Sequence, residues 1–255
     1  MTSTSASDTT RDAFLGGRLT VAQPKVGYRA GIDPVLLAAA VPARAGETAL
    51  ELGCGVGVAA LCLARRAPGV RVTGVELQPA YAALARANAD ANDLPLEVVE
   101  ADLRALPPGV RSRSFDHVLM NPPYFAPGAG TGSADPGRDT ALRGETAMAD
   151  WLDVAIRRLA PRGRLTLIQR IERLPEILSG CDGRVGSLVV APLAARRGRA
   201  PHLFLLQARK GGRTPFRLTD PIRLHAAPRH ERDGDDYLPE ISAIVRDAAG
   251  LNLLR

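Results

Sequence analysis

Cysteine is scarce in this chain of 255 residues: Cys54, Cys62 and Cys181 are all there is, with no C-x-x-C pair among them. An odd, scattered set of thiols excludes a disulfide framework and a structural zinc site as organising features. Histidine is nearly as sparse, and His117, His202, His225 and His230 show none of the spacings that metal ligands use, so no metal is expected. A G-x-S-x-G elbow is missing, which removes the commonest α/β hydrolase nucleophile. No stretch approaches the ~18 consecutive apolar residues of a membrane-spanning helix. The opening MTSTSASDTTRD has neither the basic start nor the apolar run of a secretory signal. Residues 1–13 therefore read as a disordered tail, and the expectation is a cytoplasmic protein with no membrane contact.

What is present suits a folded domain. Hydrophobic residues make up 45% of the chain and charged residues 24%, enough apolar material for a substantial core. The net charge of +6 is unevenly placed. Residues 1–100 carry 9 basic and 10 acidic side chains, whereas Arg184 to Arg229 holds 10 basic groups against Asp220 alone. A basic run of that kind suits a polyanion, because each neutralised phosphate releases condensed counterions. A solvated surface is the plain alternative, since 31 of the 33 basic residues are arginine.

From Thr48 onward, short apolar strands alternate with helices. TALEL, RVTGVEL, LEVVEAD and FDHVLMN read as strands; VAALCLARRA and PAYAALARANADAN read as helices between them. AMADWLDVAIRRLA and ERLPEILSG read as further helices around the strand RLTLIQ. GSLVVAPL and HLFLLQARK follow with no helix between, which predicts an antiparallel hairpin at one edge. The pattern predicts an α/β protein, an open and doubly wound Rossmann-like sheet, mostly parallel. The divisions expected are a segment over 14–47, a core over 48–212 and an appended strand-turn-helix over 213–255, its helix at Ile241 to Leu251. The connection from Phe125 to Thr146 is unusually long, and is expected to be mobile without substrate.

In such sheets ligands sit beyond the carboxyl ends of the strands. The first strand end carries Glu51-Leu52-Gly53-Cys54-Gly55-Val56-Gly57, a turn that lets a ligand approach the main chain without Cβ interference. Its glycines run G-x-G-x-G rather than G-x-G-x-x-G, and Glu51 would repel a pyrophosphate. That favours a cationic ligand, the sulfonium cofactor S-adenosylmethionine, over a nicotinamide. Cys54 reads as a small filler in that turn. Glu76, followed by Leu77, closes the second strand, where an acid can accept from both hydroxyls of a ribose. Asp102 closes the third, where a carboxylate can accept from an adenine amine.

The sharpest feature is Asn121-Pro122-Pro123-Tyr124, again past a strand end. The prolines remove amide donors and leave carbonyl acceptors. The Asn121 side-chain carbonyl and the Pro122 main-chain carbonyl can both accept from one exocyclic NH2, localising its lone pair for attack on a methyl group. Tyr124 offers a ring for stacking on a planar base or amide.

Together ELGCGVG, GVEL, ADL and NPPY resemble the class I S-adenosylmethionine-dependent methyltransferases that modify exocyclic or amide nitrogens. Within them, Gln23-Pro24-Lys25-Val26-Gly27-Tyr28-Arg29-Ala30-Gly31-Ile32-Asp33 resembles the N-terminal signature of the bacterial tRNA (adenine N6)-methyltransferases. The resemblance implies that Gly27, Tyr28, Arg29 and Asp33 close over the cofactor's amino-acid end. It implies that Glu51, Gly53 and Gly55 line its methionine side, with Glu76 at the ribose and Asp102 with Leu103 at the adenine, while Cys54, Gly57 and Leu77 are further cofactor-binding candidates. Asn121 to Tyr124 would hold the target base, Asn121 also bordering the cofactor. Lys25, Arg196, Arg197 and Arg199 are candidate phosphate contacts. Two stretches depart from the family pattern: Ala141-Leu142-Arg143-Gly144-Glu145, and Leu238 after Tyr237. The substrate implied is an RNA, a tRNA first; guanine N2 in ribosomal RNA, adenine in DNA and a protein glutamine amide are alternatives for the same chemistry. A non-catalytic RNA-binding module is the alternative from another class.

Overall fold

The structure, a computed structural model, describes residues 8–124, 146–227 and 236–254. The expectation for the connection at 125–146 concerns residues outside that range, apart from its last. The same holds for residues 1–7.

Among the described residues the central sheet has nine strands. Those on its main path are β3 (Thr48–Leu52), β4 (Arg71–Glu76), β5 (Leu96–Glu100), β6 (Phe115–Met120), β7 (Leu159–Arg170), β8 (Val185–Ala194), β9 (Leu203–Lys210) and β10 (Arg217–Leu218). Their spatial order is β10-β8-β9-β7-β6-β3-β4-β5, and β11 (Ile222–Arg223) pairs with β8 beyond that path. β3 pairs in parallel with both β4 and β6, so the chain steps outward to β5 on one side and returns on the other side of β3. That reversal is the switch point at which a crevice opens.

Helices cover both faces: α1 (Asp33–Ala40), α2 (Val58–Arg66), α3 (Pro79–Ala91), α4 (Pro108–Arg111), α5 (Met148–Arg158), α6 (Leu174–Gly180) and α7 (Pro239–Asp247). Proline occupies the first turn of α1, α3, α4, α6 and α7, where its missing N–H costs no helical bond. Two apolar clusters sit on opposite sides of the sheet. One joins Leu36, Leu37, Leu61, Leu63 and Ile241; the other joins Leu50, Phe115, Trp151, Leu152 and Phe204. α1 is buried from Pro34 through Ala40, which suits its unbroken apolar run.

Three expectations change. Residues 9–13 are not part of a disordered tail, because β1 (Thr9–Phe14) pairs antiparallel with β2 (Leu19–Pro24) in a separate two-stranded sheet. Thr and Asp in β1 hide its alternation. The β8–β9 hairpin is antiparallel as expected, but β10 and β11 cover its outer side, so it is not the edge. Residues 213–255 thus extend the sheet rather than stand apart from it. The terminal helix runs Pro239–Asp247 rather than 241–251 and stops where Ala248 turns left-handed.

Candidate active site

The four parallel strands β3 to β6 end on the same side, and each delivers one polar residue there. Glu51 from β3 is 3% exposed, and its Oε2 has no hydrogen-bond partner. Burial, then the charge of Glu76, pushes its carboxyl well above the ordinary range. An orphaned carboxylate oxygen in such a position is costly unless a cationic or hydrogen-bonding group completes it.

The turn after β3 needs its glycines. Gly53, Gly55 and Gly57 have φ of 67°, 55° and 90°, a left-handed region that disfavours side chains. A Cβ on Gly53 would meet the Trp151 indole at 2.6 Å. A Cβ on Gly55 would meet nothing within 4 Å, so this backbone faces open space. Cys54 fills the turn as expected: it is buried, and its Sγ lies where a Cβ on Gly74 would project.

Glu76 ends β4 with its carboxylate held by main-chain amides, Gly55 N to Oε2 at 2.8 Å, Gln78 N to Oε1 at 2.8 Å, and the amide of Leu77 as a third. These amides fix the plane of the carboxylate. Leu77 beside it is half exposed. Asp102 follows β5 but is differently employed. Its carboxylate caps the turn Leu103–Ala105 by accepting from Arg104 N at 2.8 Å, and it pairs with the Arg104 guanidinium at 2.6 Å. The pairing holds its carboxyl below the ordinary range. An adenine amine would have to compete with that fork, whereas buried Leu103 offers only apolar surface.

Asn121 leaves β6 into a cluster with Tyr28, Asp33 and Tyr124. Its amide lies close enough to both phenols to favour their ionised forms, against burial, while its Oδ1 is buried without a partner. Tyr124 donates to Asp33 Oδ2. Burial, then Asp33 and Glu51, pushes the Tyr28 phenol up to about 12, and burial raises Asp33 as well. The Tyr28 backbone N–H is held by the Tyr81 hydroxyl at 3.0 Å, just after Gly27 at φ 117°.

Not every candidate joins this cluster. Arg29 donates to Asp12 Oδ2 at 2.6 Å, to Thr10 Oγ1 at 2.6 Å and to the Pro24 carbonyl at 3.0 Å, so its guanidinium braces the β1–β2 hairpin. Lys25 is exposed at the tip beyond β2. Arg196 pairs with Asp236 at 2.5 Å, and Asp236 in turn holds His225 Nδ1 at 2.5 Å. That geometry closes the chain on itself; Arg197 and Arg199, by contrast, are exposed. Among the described residues no group of His, Cys, Asp and Glu could hold a metal ion. No helix there is long and apolar enough to cross a membrane.

Two further residues join the site without belonging to any of the motifs. Gln169, wholly buried at the end of β7, donates to the Pro122 carbonyl at 3.1 Å and the Pro123 carbonyl at 3.2 Å. Arg173 donates to the Pro123 carbonyl at 3.3 Å. The signal of Gln169 is the same as that of Glu76, a polar side chain closing an apolar strand at the ligand end of the sheet.

Known proteins share this arrangement. The model of the methyltransferase small domain matches residues 21–181. The tRNA1(Val) (adenine(37)-N6)-methyltransferase of Shewanella halifaxensis is 33% identical over 188 residues, 71% of this chain and 74% of that one. Its counterpart in Porphyromonas gingivalis is 33% identical over 234 residues, 85% and 89% of the two chains. Among solved structures, a predicted O-methyltransferase of Agrobacterium tumefaciens superposes with a TM-score of 0.68 at 26% identity, covering 88% of this chain and all of that one. The 16S rRNA N2 G1207 methyltransferase of Thermus thermophilus, solved with AdoMet and guanosine, shares the fold at a TM-score of 0.55 and 22% identity, over 79% of this chain and 50% of that one. With a glycine turn, acidic strand ends and an Asn-Pro-Pro-Tyr corner set on this sheet, the chain belongs to the methyltransferase small domain family.

Proposed function

We propose that the protein transfers a methyl group from S-adenosylmethionine to the N6 amine of an adenine in RNA, a tRNA anticodon loop being the first candidate. The observation that carries the reading is the buried, unpartnered Oδ1 of Asn121, an acceptor beside the Pro122 carbonyl with no donor of its own. The orphaned Oε2 of Glu51 and the open space at Gly55 fit the cofactor, because one supplies charge for a cationic amino-acid end and the other room against the main chain. Glu76 fits its ribose as a carboxylate acceptor of fixed plane at the end of β4, with Leu77 alongside. Gly27, Tyr28 and Asp33 border the same space, and their part in holding the cofactor belongs to this proposal.

Bound there, S-adenosylmethionine supplies an electrophilic methyl group on a sulfonium. The chain's own contribution is to hold the amine. Asn121 Oδ1 and the Pro122 carbonyl accept its two hydrogens, which withdraws the nitrogen lone pair from the ring. Tyr124 stacks on the base, which an anticodon loop presents already unpaired. One N6 proton leaves to water after transfer, so no side-chain base is needed. Exposed Arg197, Arg199 and Lys25 provide phosphate contacts, and an RNA substrate places the protein in the cytoplasm.

The test is nucleoside mass spectrometry after incubation with methyl-labelled cofactor and unmodified tRNA, with ribosomal RNA, duplex DNA and a protein extract in parallel. Label in N6-methyladenosine from tRNA supports the reading. Label in another pool alone overturns the substrate, and silence in all four overturns the activity.

A further inference from the structure

Pro122 and Pro123 carry no N–H, so the segment that presents the acceptors cannot be pinned through its own amides. It must be held through its carbonyls, by donors from elsewhere. β6 and β7 run parallel with Met120 opposite Leu167, and continuing that register sets Pro122 opposite Gln169. The ladder pairing ends at Met120, and Pro122 has no N–H to extend it, while Arg170 N donates to Gln169 Oε1. In place of a ladder N–H the Gln169 side chain reaches across, its Nε2 donating to the Pro122 carbonyl at 3.1 Å and the Pro123 carbonyl at 3.2 Å. The other end of that amide is fixed as well: Oε1 accepts from Arg170 N at 2.8 Å. The acceptor end is thereby committed to a main-chain amide, and the NH2 end must face the two carbonyls. Gln169 is 0% exposed.

Arg173 adds a second donor to the Pro123 carbonyl at 3.3 Å. Its own guanidinium is held by Glu176 at 2.8 Å, and its side chain is 12% exposed.

We infer that Gln169, backed by Arg173, is the positioning residue of this site: its amide takes the place of a ladder N–H at the Pro122 carbonyl and aims that carbonyl at the amine to be methylated. The consequence for chemistry is specific. A carbonyl has two lone pairs, and Gln169 occupies one, which leaves one for the substrate in a fixed direction. The aim of that lone pair then depends on a side chain that touches neither substrate nor cofactor. The inference rests on the methyl-transfer reading for its catalytic consequence, while the pinning of the corner stands independently of it.

The test uses the full-length protein with Gln169→Met, which keeps length and removes both amide functions, and Arg173→Met, which removes only the outer donor. Turnover on tRNA, tRNA KM and cofactor Kd are measured, together with hydrogen exchange at the Asn121 and Tyr124 amides, which needs no turnover. For Gln169→Met the expectation is a fall in kcat of roughly 10- to 100-fold, the range a misplacement of about 1 Å produces. KM and cofactor Kd should stay within about threefold, and exchange at Asn121 and Tyr124 should quicken while the rest of β6 is unchanged. Arg173→Met should move the same quantities in the same direction by less. A merely structural role predicts instead that kcat and both affinities fall together with thermal stability, or not at all.

Unchanged kcat in Gln169→Met on an active background overturns the inference. If the wild-type protein methylates nothing, the functional reading fails, and the exchange data still decide the pinning: unchanged rates at both amides overturn it. If Gln169→Met does not fold, Arg173→Met decides instead, and unaltered kcat with unaltered exchange at Tyr124 is the overturning result.

Discussion

The hydroxyl of Tyr124 donates to the carboxylate of Asp33, 91 residues earlier in the chain. One bond thus ties the corner after β6 to the first turn of α1, a helix buried along almost its whole length. The Tyr124 ring is thereby held by a helix buried from Pro34 through Ala40. Tyr124→Phe keeps the ring and cuts the tether, and Asp33→Ala cuts it from the other side. Each is expected to lower kcat about tenfold, the scale of one hydrogen bond to a charged group. Because both remove the same bond, the double variant should be no slower than the slower single. Additive losses in a double-mutant cycle would show that the bond is not what matters.

Asn121 has a sharper expectation. Its Oδ1 is the acceptor with no other employment, so Asn121→Ala should lower kcat by about 100- to 1,000-fold, as removing one preorganised polar group from a reaction centre does. Cofactor affinity should change by less than about threefold. Isothermal titration beside single-turnover kinetics checks this. Equal losses in both would mean that Asn121 serves the cofactor rather than the amine.

The alternation of strands and helices, and the polar residue ending each strand, are legible in the chain because each is a local pattern. Glu51, Glu76 and Asn121 do stand at neighbouring strand ends. Pairing is not legible. Asp102 looks like Glu76 in sequence, yet Arg104, two residues on, takes up its carboxylate. Arg196 looks like Arg197, yet Asp236 binds one and leaves the other in solvent. Gln169 is one glutamine at the end of an apolar strand, and its importance depends on two carbonyls 46 and 47 residues away. β1 escapes a sequence reading because a polar strand of six residues carries almost no hydrophobic period.

Glu51 makes the stability of the ligand-free protein depend on pH. Burial raises its folded pKa well above the ordinary carboxylate value, and Glu76 and Asp33 are raised in the same direction. A carboxyl with a raised folded value contributes stability that is complete below the unfolded pKa, about 4.3, and is lost as pH rises through the folded one. Glu51→Gln removes that loss. Its Tm should match the wild type near pH 4 and exceed it at pH 8, while its affinity for the cofactor falls. Thermal melts across that range decide it, and wild-type and variant curves that stay parallel would sink the assignment.

The basic surface divides by its partners. Arg197→Ala and Arg199→Ala should each weaken tRNA binding and reduce the slope of log affinity against log salt by about 0.7–0.9, one phosphate contact apiece. Melting temperature should not move. Arg196→Ala should do the reverse, because it releases Asp236 and the turn around His225. Filter binding at several salt concentrations separates the two classes, and an unchanged slope in all three variants would place the RNA elsewhere.

Two glycines in one turn give opposite expectations. Gly53 and Gly55 both have positive φ, so alanine at either costs about 1–2 kcal/mol in backbone strain. At Gly53 the added Cβ would also lie 2.6 Å from a carbon of the buried Trp151 ring, which the surrounding core does not let move. Gly53→Ala should therefore destabilise the fold by more than the strain alone, about 3 kcal/mol or beyond on the scale of an overpacked core. At Gly55 the Cβ would enter open space. Gly55→Ala should fold, melt only a few degrees lower and lose at least tenfold in cofactor affinity, because the methyl group occupies the room against the main chain. Denaturant unfolding and calorimetric titration of the two variants measure both sides. A Gly55→Ala protein that binds the cofactor as tightly as the wild type would mean that this face of the turn is not where the cofactor lies.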